Sequence, residues 1–139
     1  MRTSAVLAAV VNKIAPSQPK VLAVLGAGLQ ARTHIEVLSE VLTLNEIRVW
    51  ARSPSKAQYV ADEVGAKALS VEAAGRGADV VVTATAAKEP ILQGAWLKPG
   101  ANVAAVGWSS LDDHAMKNVV IVDWLGHFAT VRQYLWCWS

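Results

Sequence analysis

The chain has 139 residues, 53% of them hydrophobic and 17% charged, which allows one domain with a substantial core, leaves no room for a second full domain and excludes a disordered chain. A net charge of +2 is too small to argue for a nucleic-acid partner. The lone Cys137 cannot form an internal disulfide, so the default setting is intracellular, and cytoplasmic in particular.

The opening stretch MRTSAVLAAVVNKIA has a basic start and an apolar middle, but Asn12 and Lys13 interrupt it and no cleavage-like site follows, which argues against a secretory signal. No run reaches the roughly 18 apolar residues that a membrane span needs. Residues 3 to 14 carry apolar side chains at helical spacing, and Pro16 and Pro19 close that segment. KVLAVLG reads as a buried strand. Residues 28 to 42 read as a helix packed on a sheet, with Leu29, Ile35, Leu38, Val41 and Leu42 near one face and Arg32, Glu36, Ser39 and Glu40 largely elsewhere. EIRVWARS is a second strand. Ser53 and Pro54 supply an N-cap and a first-turn proline for a helix through PSKAQYVADEV, which Gly65 terminates.

KALSV is a weak third strand, followed by a short helical turn ending at GRG. ADVVVTATA is a fourth strand, rich enough in β-branched residues for the sheet interior. LQGAWLKPG is a loop with a short helix, ANVAAVG a fifth strand, LDDHAMKN a helix and VVIVD a sixth strand. Strands alternating with helices predict an α/β fold, a doubly wound, mainly parallel sheet with helices on both faces and right-handed crossovers. That domain is expected over residues 1–123. The remaining residues, 124–139, hold three of the six tryptophans and no acidic side chain, and read as a divergent tail.

Gly26, Gly28 and Ala31 form G-x-G-x-x-A between a predicted strand and a predicted helix. In dinucleotide-binding folds of the Rossmann type the first glycine permits the tight turn, the second lets a pyrophosphate approach the backbone, and the third small residue lets the helix pack closely. The anion meets unpaired N–H groups and the positive end of the helix dipole. The motif is weak alone and much stronger in this strand–turn–helix context. Gly26, Ala27, Gly28, Leu29 and Gln30 are therefore candidate cofactor contacts.

The end of the second strand chooses the cofactor. NAD-selective sites place a carboxylate there for the ribose hydroxyls, whereas this chain has Ala51, Arg52 and Ser53. A guanidinium and a hydroxyl bind a 2′-phosphate, so NADPH is expected. Thr83, Ala84 and Thr85 end the fourth strand and Val106 with Gly107 the fifth, where ligands of open α/β sheets lie. These positions are expected to border the nicotinamide and its ribose. His34 reads as a packed or surface histidine two turns into its helix. His114 and His127 have no partners at metal-ligand spacing, so no metal site is expected.

The stretches MRTSAVLAAVVNK, LGAGLQARTHIEVL, IRVWARS, ADVVVTATAAKEPIL, WLKPGANVAAVG and LDDHAMKNVVIVD together resemble the ornithine cyclodeaminase/mu-crystallin family. The resemblance implies NADPH-dependent reduction of cyclic ketimines by hydride transfer, a homodimer, and a thyroid-hormone ligand for one branch. It places Arg2 and Thr3 at the substrate end of the site, Ser109 near the substrate, Gln30 along the pyrophosphate turn, and Arg52 with Ser53 in a phosphate clamp. Ala51 departs from the asparagine of that clamp. Trp108 stands where a small side chain is expected. An ornithine cyclodeaminase-type lyase and a binding protein without turnover remain alternatives. The family pattern is longer and carries much of the substrate pocket in its amino-terminal half, so a short form is expected and no catalytic residue can be named.

Overall fold

A computed structural model of the chain describes residues 20–85, 91–105 and 119–122. Six described strands form one sheet: β1 (Val21–Leu25), β2 (Glu46–Trp50), β3 (Lys67–Ala68), β4 (Val80–Thr83), β5 (Asn102–Ala105) and β6 (Val119–Val122). All neighbours are parallel, in the order β3-β2-β1-β4-β5-β6. The chain builds outward from β1 to β3 and then returns to β4 on the other side of β1. The order therefore reverses between β1 and β4, and a crevice belongs at their carboxyl ends.

The helices are α1 (Leu29–Val41), α2 (Pro54–Val64) and α3 (Val71–Gly75), with a 3₁₀ turn at Gly94–Trp96. Successive side chains of a strand point to opposite faces, so a strand covered on both sides must be apolar throughout. That accounts for the unbroken run in β1. Leu22 and Val24 join Ala31, Ile35 and Leu38 of α1 and Ala57 and Val60 of α2 in one core. Ala23 and Leu25 join Ala74 of α3, Val81, Leu92 and Val103 in another, on the opposite face.

The expected strands and the helices of this part fall close to where the patterning places them, with particular corrections. Of KALSV only Lys67–Ala68 is strand; Ser70 is already a helix cap and Val71 opens α3. The buried face of α1 comprises Ala31, His34, Ile35 and Leu38, with Leu42 beyond its end. Leu29 is 79% exposed and Val41 42% exposed. At 3.6 residues per turn Leu29 stands half a turn away from Leu38, so it faces away from the sheet. Ser53 occupies the N-cap position of α2, but its hydroxyl makes no cap bond and meets Ser55 Oγ at 3.0 Å instead. Ser70 caps α3 by accepting from the Ala73 amide. Gly65 ends α2 in the left-handed conformation, φ 71°. The expected helices over residues 3–14 and 111–118, and the tail from residue 124, lie outside the described residues.

At the amino ends of the strands, Asp79 accepts hydrogen bonds from the Lys20 and Val21 amides at 2.8 and 2.9 Å and pairs with the Lys98 ammonium. It ties the starts of β1 and β4 to the approach to β5. Burial works to raise its pKa, but the Lys98 hydrogen bond and the two backbone amides outweigh that and hold the carboxyl below its ordinary value. In β2 a hydrogen bond from Arg48 likewise lowers the Glu46 carboxyl. A depressed carboxylate pKa adds stability that is complete above the unfolded value, about 4, and is lost as pH falls through the folded value. Urea midpoints measured from pH 7 to pH 3 are expected to fall on the acid side. Asp79→Asn is expected to flatten that fall and to cost about 1–3 kcal/mol at neutral pH.

Candidate functional site

The turn from β1 into α1 gives each small residue of G-x-G-x-x-A a separate task. Gly26 has φ 141°, and a Cβ there would lie 2.3 Å from the Ala84 carbonyl oxygen. The peptide is held on both sides: Gly26 N–H donates to the Trp50 carbonyl at 2.6 Å, and Ala84 N–H donates to the Leu25 carbonyl at 2.9 Å. Glycine is required here by the protein itself, because the turn passes against the end of β4. Ala31 is fully buried against the sheet, where a larger side chain would push α1 outward.

Gly28 differs from both. Its φ is −87°, which any residue adopts, and a Cβ there would meet no protein atom within 4 Å. Neither conformation nor packing within the described residues calls for glycine. A glycine there leaves the backbone open to close approach, as the second glycine of G-x-G-x-x-A does in dinucleotide-binding folds.

Gly28 also begins α1. Its carbonyl accepts from the Arg32 amide at 3.2 Å, while no side chain caps the helix and its first turn holds no acidic residue. The first amides of α1 therefore face the crevice with the positive end of the helix dipole behind them. Ala27 is half-buried, and Leu29 and Gln30 are exposed on the rim. His34 is fully buried and its Nδ1 donates to the Gln30 carbonyl at 2.6 Å, as a packed histidine does.

At the end of β2, Ala51 is buried, Arg52 is exposed and Ser53 is half-buried. No carboxylate pairs with Arg52 among the described residues. Arg48, two residues before Trp50, has a different task. Its guanidinium donates to the Ala73, Ala74 and Arg76 carbonyls and closes the end of α3. A half-open cleft of about 320 Å³ lies beyond the ends of β2 and β3, walled by Trp50, Ala51 and Pro54 on one side and Leu69 and Ser70 on the other. The cleft adjoins Arg52 and Ser53 through their chain neighbours Ala51 and Pro54.

At the end of β4, Ala84 and Thr85 are half-buried beside the glycine turn, but Thr83 is fully buried. Its register partners are Leu25 and Ala105, and strand alternation puts it on the Val81 face. Thr83 is thus closed to solvent in the free chain, at the floor of the crevice. The structure brings Gly26, Gly28, Gln30, Ala84 and Thr85 together at the switch point and sets Arg52 and Ser53 at the neighbouring strand end. Val106, Gly107, Arg2, Thr3 and Ser109 lie outside the described residues. Sequence reasoning missed Trp50 and Ser55. Trp50 is an apolar residue at the end of a strand, which signals burial only, and its roles as acceptor for Gly26 and wall of the cleft depend on pairing between strands. Ser55 showed only as a polar first-turn residue.

Among the described residues no cluster of three metal-ligating side chains occurs, and no helix is long and apolar enough to cross a membrane.

A doubly wound parallel sheet with a glycine turn at its switch point defines a Rossmann-type domain. The sequence match is more specific: the model of the ornithine cyclodeaminase/mu-crystallin family covers residues 1–127, and the chain belongs to that family. The ketimine reductase mu-crystallin of Macropus fuliginosus is 42% identical over 128 residues, 86% of this chain and 41% of that protein. A Thermococcus litoralis Δ1-pyrroline-2-carboxylate reductase, solved with NADH and L-proline, superposes with a TM-score of 0.75 at 26% identity, covering 84% of this chain and 40% of its own. The iminosuccinate reductase of Paracoccus denitrificans, solved with NAD⁺, gives 0.68 at 30% identity, over 76% of this chain and 34% of its own. The chain therefore spans well under half the length of each of these three proteins.

Proposed function

We propose that this chain is the NADPH-binding domain of a ketimine reductase-type oxidoreductase, which in the whole protein reduces the carbon–nitrogen double bond of small cyclic imines. The observation that carries the reading is Gly28, a glycine that the described fold does not need, at the mouth of a helix whose first amides are uncapped. Such a position suits a diphosphate, which accepts the amide hydrogens and needs the missing side chain's space. The residues present fit the coenzyme. The named relatives that act on pyrroline-2-carboxylate and iminosuccinate support an imine as the reacting group.

The coenzyme supplies a hydride donor; the chain's own residues bind and orient it. Amides of α1 hold the diphosphate, Ala84 and Thr85 with Val106 and Gly107 border the nicotinamide end, and Arg52 with Ser53 takes the 2′-phosphate. Residues 1–123 form this domain in the proposal, with 124–139 as a separate tail. Arg2, Thr3 and Ser109 are assigned to the substrate side from the family resemblance. A homodimer and a thyroid-hormone ligand are carried by that resemblance alone, and a cytoplasmic setting by the lone cysteine.

Titrating the protein's tryptophan fluorescence with each coenzyme tests the reading. Tighter binding of NADPH than of NADH is expected, and the reverse order overturns the choice of phosphate. An exposed arginine facing a phosphate makes charge-assisted hydrogen bonds of about 1.5–3 kcal/mol. Arg52→Gln is accordingly expected to weaken NADPH roughly ten- to hundredfold and to leave NADH within about twofold. Equal losses for the two coenzymes would remove Arg52 from the clamp.

A further inference from the structure

Thr83 is fully buried, and its Oγ1 has no hydrogen-bond partner among the described residues. The three residues before it, Val80, Val81 and Val82, are valines buried as completely. A valine at 83 would have the same shape without the hydroxyl. Burying an unpaired hydroxyl is unfavourable, so the fold is less stable with threonine here than with its isostere. Nothing in the packing of the sheet requires the oxygen.

The position offers a reason for it. Thr83 is the last residue of β4, its register partners are the last residues of β1 and β5, and the next peptide, Ala84, closes on the Gly26 turn. This is the strand end over which the nicotinamide half of the coenzyme runs in the reading above. We infer that Thr83 is a positioning residue whose hydroxyl finds its partner only in the coenzyme-bound protein, within the nicotinamide–ribose half. A hydroxyl can both donate and accept, so it matches the ribose hydroxyls and the carboxamide of that half. The free protein is then left with an unsatisfied group that binding satisfies, and the coenzyme gains affinity from relieving it.

The inference rests on the proposed coenzyme reading, and one set of measurements separates the two. The full chain, Thr83→Val and Thr83→Ser are melted without coenzyme and then titrated with NADPH. Thr83→Val is expected to melt about 3 °C or more above the unsubstituted chain when free, because the unpaired oxygen is gone. It is expected to bind NADPH about five- to thirtyfold more weakly. Thr83→Ser keeps the hydroxyl and loses a methyl, so its melting point should fall while its affinity stays within about twofold. A merely structural threonine would move the melting points and leave the affinities alone. Equal affinities of Thr83→Val and the unsubstituted chain, or a lowered melting point for coenzyme-free Thr83→Val, overturn this inference and leave the coenzyme reading standing. Absence of NADPH binding by the unsubstituted chain overturns both.

Discussion

Gly26→Ala is expected to lose about 3–5 kcal/mol of folding stability, which is a large share of the 5–15 kcal/mol typical of a domain. Two costs combine. An alanine at φ 141° is strained wherever it sits, by about 1–3 kcal/mol. Its methyl would also lie 2.3 Å from the Ala84 carbonyl oxygen and 2.9 Å from the carbonyl carbon. These are backbone atoms of a central strand end and cannot swing aside as a flexible side chain would. Relief requires moving the turn away from β4, which breaks the Gly26–Trp50 bond or the Ala84–Leu25 bond. Each such bond contributes about 0.5–1.5 kcal/mol. A urea titration followed by tryptophan fluorescence measures the loss. A midpoint within error of the unsubstituted chain would mean that the turn stands clear of β4.

The glycine turn was legible in the sequence because three requirements converge on a few adjacent residues: an apolar strand, small residues at fixed offsets, and helical periodicity. Local signals of that kind survive without tertiary information. The same holds for Pro54 and Gly65, whose ring and missing Cβ act on their own backbone. Leu29 is apolar, but it stands half a turn from Leu38, and helix geometry puts it at the rim whatever its side chain. Ser53 is a different case. The N-cap position was right, but whether a hydroxyl turns to the helix amide or to Ser55 is a choice of rotamer, which residue type does not decide.

Long-range pairings were the part least open to sequence reading. Asp79 meets Lys20, 59 residues earlier, and Lys98, 19 residues later. Arg48 reaches the carbonyls that end α3, 25 to 28 residues away. Both look like ordinary surface charges in the sequence, and only the parallel order of the strands brings their partners to them. The burial of Thr83 is of the same kind. Alternation along β4 gives its face, but its depth depends on β1 and β5 lying on either side. Composition and spacing thus reach the glycine turn, while the groups that tie strands together appear only with the sheet assembled.

Gly28→Ala separates folding from binding more sharply than any other substitution in the site. The backbone there is extended and the space in front of it holds no protein atom within 4 Å, so alanine introduces neither strain nor a clash in the free chain. Alanine is a poorer N-cap than glycine, and the change should therefore cost no more than about 1 kcal/mol. The methyl would stand where the diphosphate approaches the α1 amides in the proposed complex. Lengthening several charge-assisted hydrogen bonds at once is expected to weaken NADPH and NADH alike by about tenfold to a hundredfold. Contrast with Gly26→Ala gives the measurement its force: one glycine answers to the fold and the other to the ligand. Calorimetric titration of Gly28→Ala, beside a melt of the same sample, reads both quantities. Unchanged affinity in a chain that melts normally would show that the crevice between β1 and β4 binds no diphosphate, and the proposed coenzyme site would have to be abandoned.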